Sequence, residues 1–296
     1  MAFRIITDSA SDVPDSTKER YDLYVMPTPV TIDGVDYLDG ETIFQKEFYR
    51  LQKAGHGITT YHISQAMFIE HFTKFAKRDD EVLYICFSTG IAGTYQAANL
   101  AVEDVKEYYP DFKITIIDSK CASIGFGLVV EKLLQMQKNG APKELIIEAA
   151  HFFCEHMKHV VTVDTLDYLY KGGRISRASF MVGGLLDIKP VITVNEKGAL
   201  VATEKVRGFK KSIRRVAELV KEQGENLEHQ LVGLVCGSDP TTRKDMEFAL
   251  AEYCGVHHIL SAYVGCAIGA HTGPGLIGVV FQDKICEKYE QYLDKL

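Results

Sequence analysis

Short apolar runs of strand length alternate with helical patterns along the first half of the chain. Phe3-Arg4-Ile5-Ile6-Thr7, Val82-Leu83-Tyr84-Ile85-Cys86-Phe87 and Ile114-Thr115-Ile116-Ile117 each break at their carboxyl end into Asp, Ser or Thr, and helical periodicity follows each of them. Strands of this kind predict a parallel sheet whose polar loops gather along one edge, the edge at which open α/β sheets bind ligands. Helices are predicted from Gly125 to Asn139 and from Pro142 to Met157, the second with proline where a helix starts. The texture then changes. Val191–Val194 and Ala199–Thr203 flank Asn195-Glu196-Lys197-Gly198, a hairpin signal. Helical patterns at about 209–223 and 240–254 alternate with the runs Leu231–Val235 and Ile259–Val264, and a last run, Leu276–Phe281, follows a glycine-rich loop. The pattern predicts an α/β chain of two domains: an N-terminal parallel-sheet α/β domain over residues 1–157 and a C-terminal α+β domain with a mixed sheet over 158–296.

The loop Phe87-Ser88-Thr89-Gly90-Ile91-Ala92-Gly93-Thr94 carries the sharpest chemical signal. Free backbone N–H groups at a helix start favour a phosphate or carboxylate, and Ser88, Thr89 and Thr94 add hydroxyl donors. No lysine or acid lies within the loop to activate a nucleophile or hold a metal. It reads as a cradle for an anion.

Composition narrows the classes. With 296 residues, 46% hydrophobic and 25% charged, the chain is an ordinary globular one with room for two cores. Its net charge of −7 and the lack of any basic run longer than Lys210-Lys211 argue against nucleic acid. No stretch approaches the length of apolar residues that a membrane helix needs, and Met1-Ala2-Phe3-Arg4 leads directly into a strand, so a cytoplasmic location is expected. Seven cysteines without a CxxC pair fit reduced, buried thiols.

Other constellations read as structural. His151, Cys154, Glu155, His156 and His159 fall on two helix faces, so no zinc set converges. Asp8, Asp12 and Asp118 end neighbouring strands and read as caps or loop holders in preference to a magnesium cluster. No metal and no cofactor is expected. Ser88 or Ser119 as the nucleophile of an acyl-ester hydrolase lacks a G-x-S-x-G elbow. A phosphate or nucleotide site lacks both glycine fingerprints. Phe180, Met181, Val182, Leu185, Leu186 and Ile188 form an apolar segment after Gly172-Gly173-Arg174, and the pattern alone fits a core helix as well as a ligand slot.

Together, Thr7-Asp8-Ser9, the 88–96 loop, Asp118-Ser119, Gly172-Gly173-Arg174-Ile175-Ser176, Lys189-Pro190 and Ile268-Gly269-Ala270-His271-Thr272-Gly273-Pro274-Gly275 resemble the DegV family from residue 5 to about 282. The resemblance implies two α/β domains with a fatty acid held in a tunnel between them. It implies a non-catalytic subunit that presents the acid's carboxylate to an ATP-using fatty acid kinase, which makes the acyl phosphate, and it leaves room for transient membrane contact. By the same resemblance, Thr60, Ser88, Thr89 and His271 hold the carboxylate, Phe180, Met181, Leu185 and Ile188 line the tunnel, and Arg174 and Arg207 face the phosphoryl group or the partner. The chain departs from the family pattern at Tyr61, His62 and Ile63, which stand where Ser-Gln-Pro is usual.

Overall fold

The computed structural model describes residues 2–176 and 187–295. In chain order the first half runs β1 (Phe3–Asp8), α1 (Asp15–Tyr21), β2 (Tyr24–Met26), β3 (Pro29–Ile32), β4 (Val35–Leu38), α2 (Gln45–Lys53), β5 (Ile58–Thr60), α3 (Gln65–Ala76), β6 (Glu81–Cys86), α4 (Thr94–Tyr108), β7 (Ile114–Asp118), α5 (Ile124–Lys138) and α6 (Lys143–His156). The second half runs β8 (Met157–Thr162), α7 (Asp167–Lys171), β9 (Ile188–Val194), β10 (Leu200–Arg207), α8 (Phe209–Gln223), β11 (Leu231–Cys236), α9 (Pro240–Cys254), β12 (His258–Tyr263), α10 (Cys266–Thr272), β13 (Ile277–Gln282) and α11 (Glu287–Glu290).

The three runs read as parallel strands do form one sheet, in the order β2-β1-β6-β7, all parallel. β1, β6 and β7 end at Asp8, Cys86 and Asp118, so the polar loops that follow them share one edge. The second sheet is mixed, in the order β10-β9-β8-β13-β11-β12, with only β11 and β12 parallel. The hairpin is present: β9 and β10 pair antiparallel, and Asn195 Oδ1 accepts the N–H groups of Lys197 and Ala199 to close the turn.

Helix α5 joins the sheets. Every residue from Ile124 to Met136 is buried, because one side packs on β1 and β6 and the other on β8, β11 and β13. A helix covered all round has no need of a polar stripe, which explains the weak amphipathic pattern of this segment. Its two buried charges are both engaged. Glu131 accepts from Thr17 Oγ1 at 2.6 Å and Gln135 Nε2 at 2.9 Å, and Lys132 donates to Gln282 Oε1 with its ammonium 5.2 Å from the Phe153 ring centre. One apolar cluster therefore runs from Leu83 and Ile85 through Val129 and Leu133 to Ile192 and Val280.

Three features differ from the sequence expectation. Residues 29–60 hold a small antiparallel sheet, β4-β3-β5, which the pattern did not reveal because its strands are three or four residues long. The glycine-rich segment around His271 is helical over Cys266–Thr272 and turns only at Gly273, whose φ is +74°. Ile188 opens strand β9 and is not helical, while Phe180, Met181 and Leu185 lie outside the described residues.

Candidate functional site

A cavity opens at the carboxyl edge of the parallel sheet and runs between it and the mixed sheet. It encloses about 1020 Å³ of empty space, its open mouth included. One wall comes from the loops after β1 and β6 and the start of α5: Ala10, Phe87, Ile91, Ala92, Ala122 and Ser123. The facing wall comes from the mixed sheet, with Val161 on β8, Ile192 and Val194 on β9, Val235 on β11 and Val280 on β13. Alternation along β8 puts His159, Val161 and Val163 on the cavity side.

Thr60, His271 and Arg174 form one polar group in this lining. Thr60, the last residue of β5, places Oγ1 2.6 Å from Nε2 of His271 on α10. Nδ1 of His271 is buried and has no partner among the described residues. Burial, with the nearby Arg174 charge, pushes the His271 ring down to about 4, so it is neutral at physiological pH. A Cβ on Gly172 would fall 2.0 Å from that Nδ1, so glycine is what lets the loop after α7 close over the ring. Arg174 follows in the same loop. It is half-buried, its Nη1 donates to the Gly172 carbonyl at 2.6 Å, and no carboxylate pairs with it among the described residues. Desolvation lowers its pKa. A partly desolvated guanidinium suits an anion.

The acids along the sheet edge hold loops, as the sequence indicated. Asp8 accepts the N–H of Ala10 and the hydroxyl of Tyr84, and Asp118 accepts from Thr89 N, Thr89 Oγ1 and Lys120 N. Asp12 and Asp39 do more. Asp12 accepts the Gly265 N–H, and Asp39 accepts those of Cys266 and Ala267, so two acid side chains from the first half anchor the start of the helix that carries His271.

The structure gathers some of the expected site residues and leaves others apart. Thr60, His271 and Arg174 line the cavity together. Ser88 and Thr89 do not, because their hydroxyls are spent inside the fold: Ser88 Oγ donates to the Gly198 carbonyl at 2.7 Å, and Thr89 Oγ1 donates to Asp118 at 2.6 Å. From that loop Phe87, Ile91, Ala92 and Thr94 face the cavity instead. Among the described residues neither Ser88 nor Ser119 meets a histidine: Ser88 Oγ donates to Gly198, and Ser119 Oγ bonds to the backbone of Cys121. Arg207 ends β10 exposed and away from the cavity wall, and Ile188 also lies off it, Ile192 taking that place further along β9. Tyr61 and His62 sit exposed at the rim, Ile63 turns into the core, and Ser64 caps α3 by accepting the Met67 N–H. Within the 151–159 cluster, His156 pairs with Asp283 and His159 turns to the cavity, so the group is divided.

Two residues that sequence reasoning passed over belong to the wall. His159 was legible only as part of a histidine cluster, and Ile192 only as a strand residue. Alternation along β8 and β9 was the one signal that could have placed them.

The family profile described as "Uncharacterised protein, DegV family" matches residues 2–284. The chain is 36% identical over 280 residues to DegV domain-containing protein TTE1491 of Caldanaerobacter subterraneus subsp. tengcongensis, covering 95% of this chain and 98% of that protein. Its fold superposes on a fatty-acid-binding DegV family protein from Thermus thermophilus with a TM-score of 0.85 at 27% identity, covering 95% of this chain and 100% of that one. It superposes likewise on a stearic acid-binding protein from Eubacterium ventriosum, with a TM-score of 0.86 at 26% identity over 98% and 99% of the two chains.

Proposed function

Because the chain belongs to the DegV family, we propose that it binds a long-chain fatty acid in the cavity between its two sheets, with the carboxylate among Thr60, His271 and Arg174. The observation that carries this reading is the half-buried guanidinium of Arg174, without a carboxylate partner among the described residues, beside a neutral imidazole and a hydroxyl in a cavity whose facing sheet wall is largely aliphatic. A charge-assisted hydrogen bond from Arg174 and neutral donors from Thr60 and His271 suit a carboxylate. The remaining wall suits methylenes, each contributing about 0.8 kcal/mol when buried, before the cost of ordering the chain. The tail supplies affinity and the head group supplies orientation.

Presentation to a kinase is the further part of the proposal. The chain has no phosphate loop of its own, and the anion site opens at a rim formed in part by exposed Tyr61 and His62. An ATP-using partner that docks at this rim would find the carboxylate within reach. The acid would then act as nucleophile on the γ-phosphorus of ATP, forming acyl phosphate and releasing ADP. In this reading Arg207, exposed at the end of β10, serves the docked partner and leaves the acid alone.

Mass spectrometry of lipid extracted from the purified protein tests the first part. A stoichiometric long-chain fatty acid is expected, and protein that neither carries nor takes up such an acid would overturn the reading. Mixing the loaded protein with a fatty acid kinase catalytic subunit and ATP tests the second. Acyl phosphate is expected only when both proteins are present.

A further inference from the structure

Among the polar groups of the acyl cavity, a histidine on its sheet wall has no use for a saturated hydrocarbon tail. His159 on β8 is 5% exposed and lines the cavity. Its Nε2 accepts the backbone N–H of Ala122 at 3.3 Å, which leaves the proton of the neutral ring on Nδ1. That Nδ1 is buried and makes no hydrogen bond of ordinary geometry with any described residue. The ring is fitted deliberately into the fold: a Cβ at position 125 would stand 1.9 Å from Nε2, so Gly125 on the first turn of α5 is the residue that makes room for it. Burial holds the imidazole well below the ordinary histidine range, at about 4, and so keeps it neutral.

Position along the strand gives the depth of this group. β8 runs toward the loop that bears Arg174, and Val163, just beyond its end, is the wall residue of this strand closest to that loop along the chain. His159 is four residues earlier, roughly 13 Å along an extended strand. Its neighbours across the ladder, Val280 on β13 and Val161 two residues on, are aliphatic. A buried N–H without a partner of ordinary geometry among the described residues, flanked by Val280 and Val161 and set back along a site for a long chain, calls for an acceptor at the corresponding point of the chain. We infer that this protein selects long-chain fatty acids oxygenated near the middle of the chain, a hydroxyl or keto oxygen accepting from His159 Nδ1. The inference rests on the fatty-acid reading above and adds the substrate class to it.

Competition for delipidated protein against a fluorescent fatty acid tests this, using stearic acid and a set of hydroxystearic acids that differ only in hydroxyl position. A hydroxyl forced against an aliphatic wall loses its bonds to water and costs affinity, so every mismatched isomer is expected to bind about tenfold or more weakly than stearic acid. One mid-chain isomer is expected to bind at least as tightly as stearic acid. His159→Phe should lower the affinity for that isomer relative to stearic acid about tenfold or more. Should His159→Phe fail to fold, the positional profile of the unaltered protein still decides the matter. A profile in which every hydroxylated acid binds more weakly than stearic acid overturns the inference, as does a His159→Phe variant that loses both acids equally. Failure to bind stearic acid or any isomer would overturn the fatty-acid reading itself.

Discussion

Thr60 Oγ1 and His271 Nε2 meet at 2.6 Å although 211 residues separate them in sequence. The contact joins the small β4-β3-β5 sheet of the first half to helix α10 of the second, so the polar end of the cavity exists only when both halves are in place. Removing the hydroxyl while keeping the shape isolates its role. Thr60→Val is expected to weaken fatty-acid binding by about fivefold to tenfold, the worth of a neutral hydrogen bond, with little change in stability. An affinity equal to that of the unaltered protein would remove Thr60 from the site.

Arg174 and Arg207 separate on the same assay. Arg174 lines the cavity without a counter-ion among the described residues, so Arg174→Ala deletes a charge-assisted bond contributing about 1.5–3 kcal/mol and should lower affinity by tenfold to a hundredfold. Arg207 is exposed on the end of β10, off the cavity wall. Arg207→Ala should keep full affinity and lose only kinase-dependent acyl phosphate formation. Equal losses of affinity in the two variants would contradict the placement.

Close packing around His271 offers a test that touches no ligand-binding group. The backbone at Gly172 has φ −76° and ψ −4°, which alanine adopts freely. Its methyl would still lie 2.0 Å from His271 Nδ1. Gly172→Ala is therefore expected to push the ring off Thr60 and weaken binding roughly tenfold, while circular dichroism and the melting transition change little. A variant that binds normally would show that the ring's position is immaterial to the acid.

How far the sequence discloses this arrangement depends on the range of the contacts. The parallel strands, α4 to α6 and the β9–β10 hairpin rest on local periodicity and turn chemistry, and the structure has them where the pattern puts them. Thr60 is different: it reaches the site through a three-residue strand whose existence depends on pairing with β3, a non-local fact without a local pattern. Ser88 marks the limit in the other direction. Hydroxyls in a loop at a helix start read as ligand donors, but the hairpin turn at Gly198, some 110 residues away, takes that hydroxyl for the fold. Ser88→Ala should consequently cost about 1–2 kcal/mol of stability in urea denaturation, because it strips partners from the Gly198 carbonyl and the Gly90 N–H. Its direct effect on affinity should be the smaller one.

Asp12 ties stability to pH at the base of the helix that carries His271. It accepts from Ser123 and from the Gly265 N–H, yet burial outweighs those bonds and raises its carboxyl to about 8. The folded protein therefore keeps a proton that the unfolded chain releases near the ordinary carboxylate value, and stability falls as pH rises until about 8. Asp8, raised to about 6, acts in the same direction but is spent by that pH. His159 and His271, both lowered to about 4, act oppositely: the unfolded chain gains their protons below the ordinary histidine value, so their contribution is complete above about 6.5. Lys132, a buried amine lowered to about 8, begins to add stability only above that pH. Between about pH 6.5 and 8 the Asp12 term is thus opposed by neither the histidines nor the lysine, and on the order of 2 kcal/mol should be lost across that interval. Asp12→Asn keeps an acceptor for the Gly265 N–H and carries no titrating proton, so its urea midpoint should stay nearly flat over the same interval while that of the unaltered protein falls. Parallel declines in the two proteins would show that the proton belongs to another group.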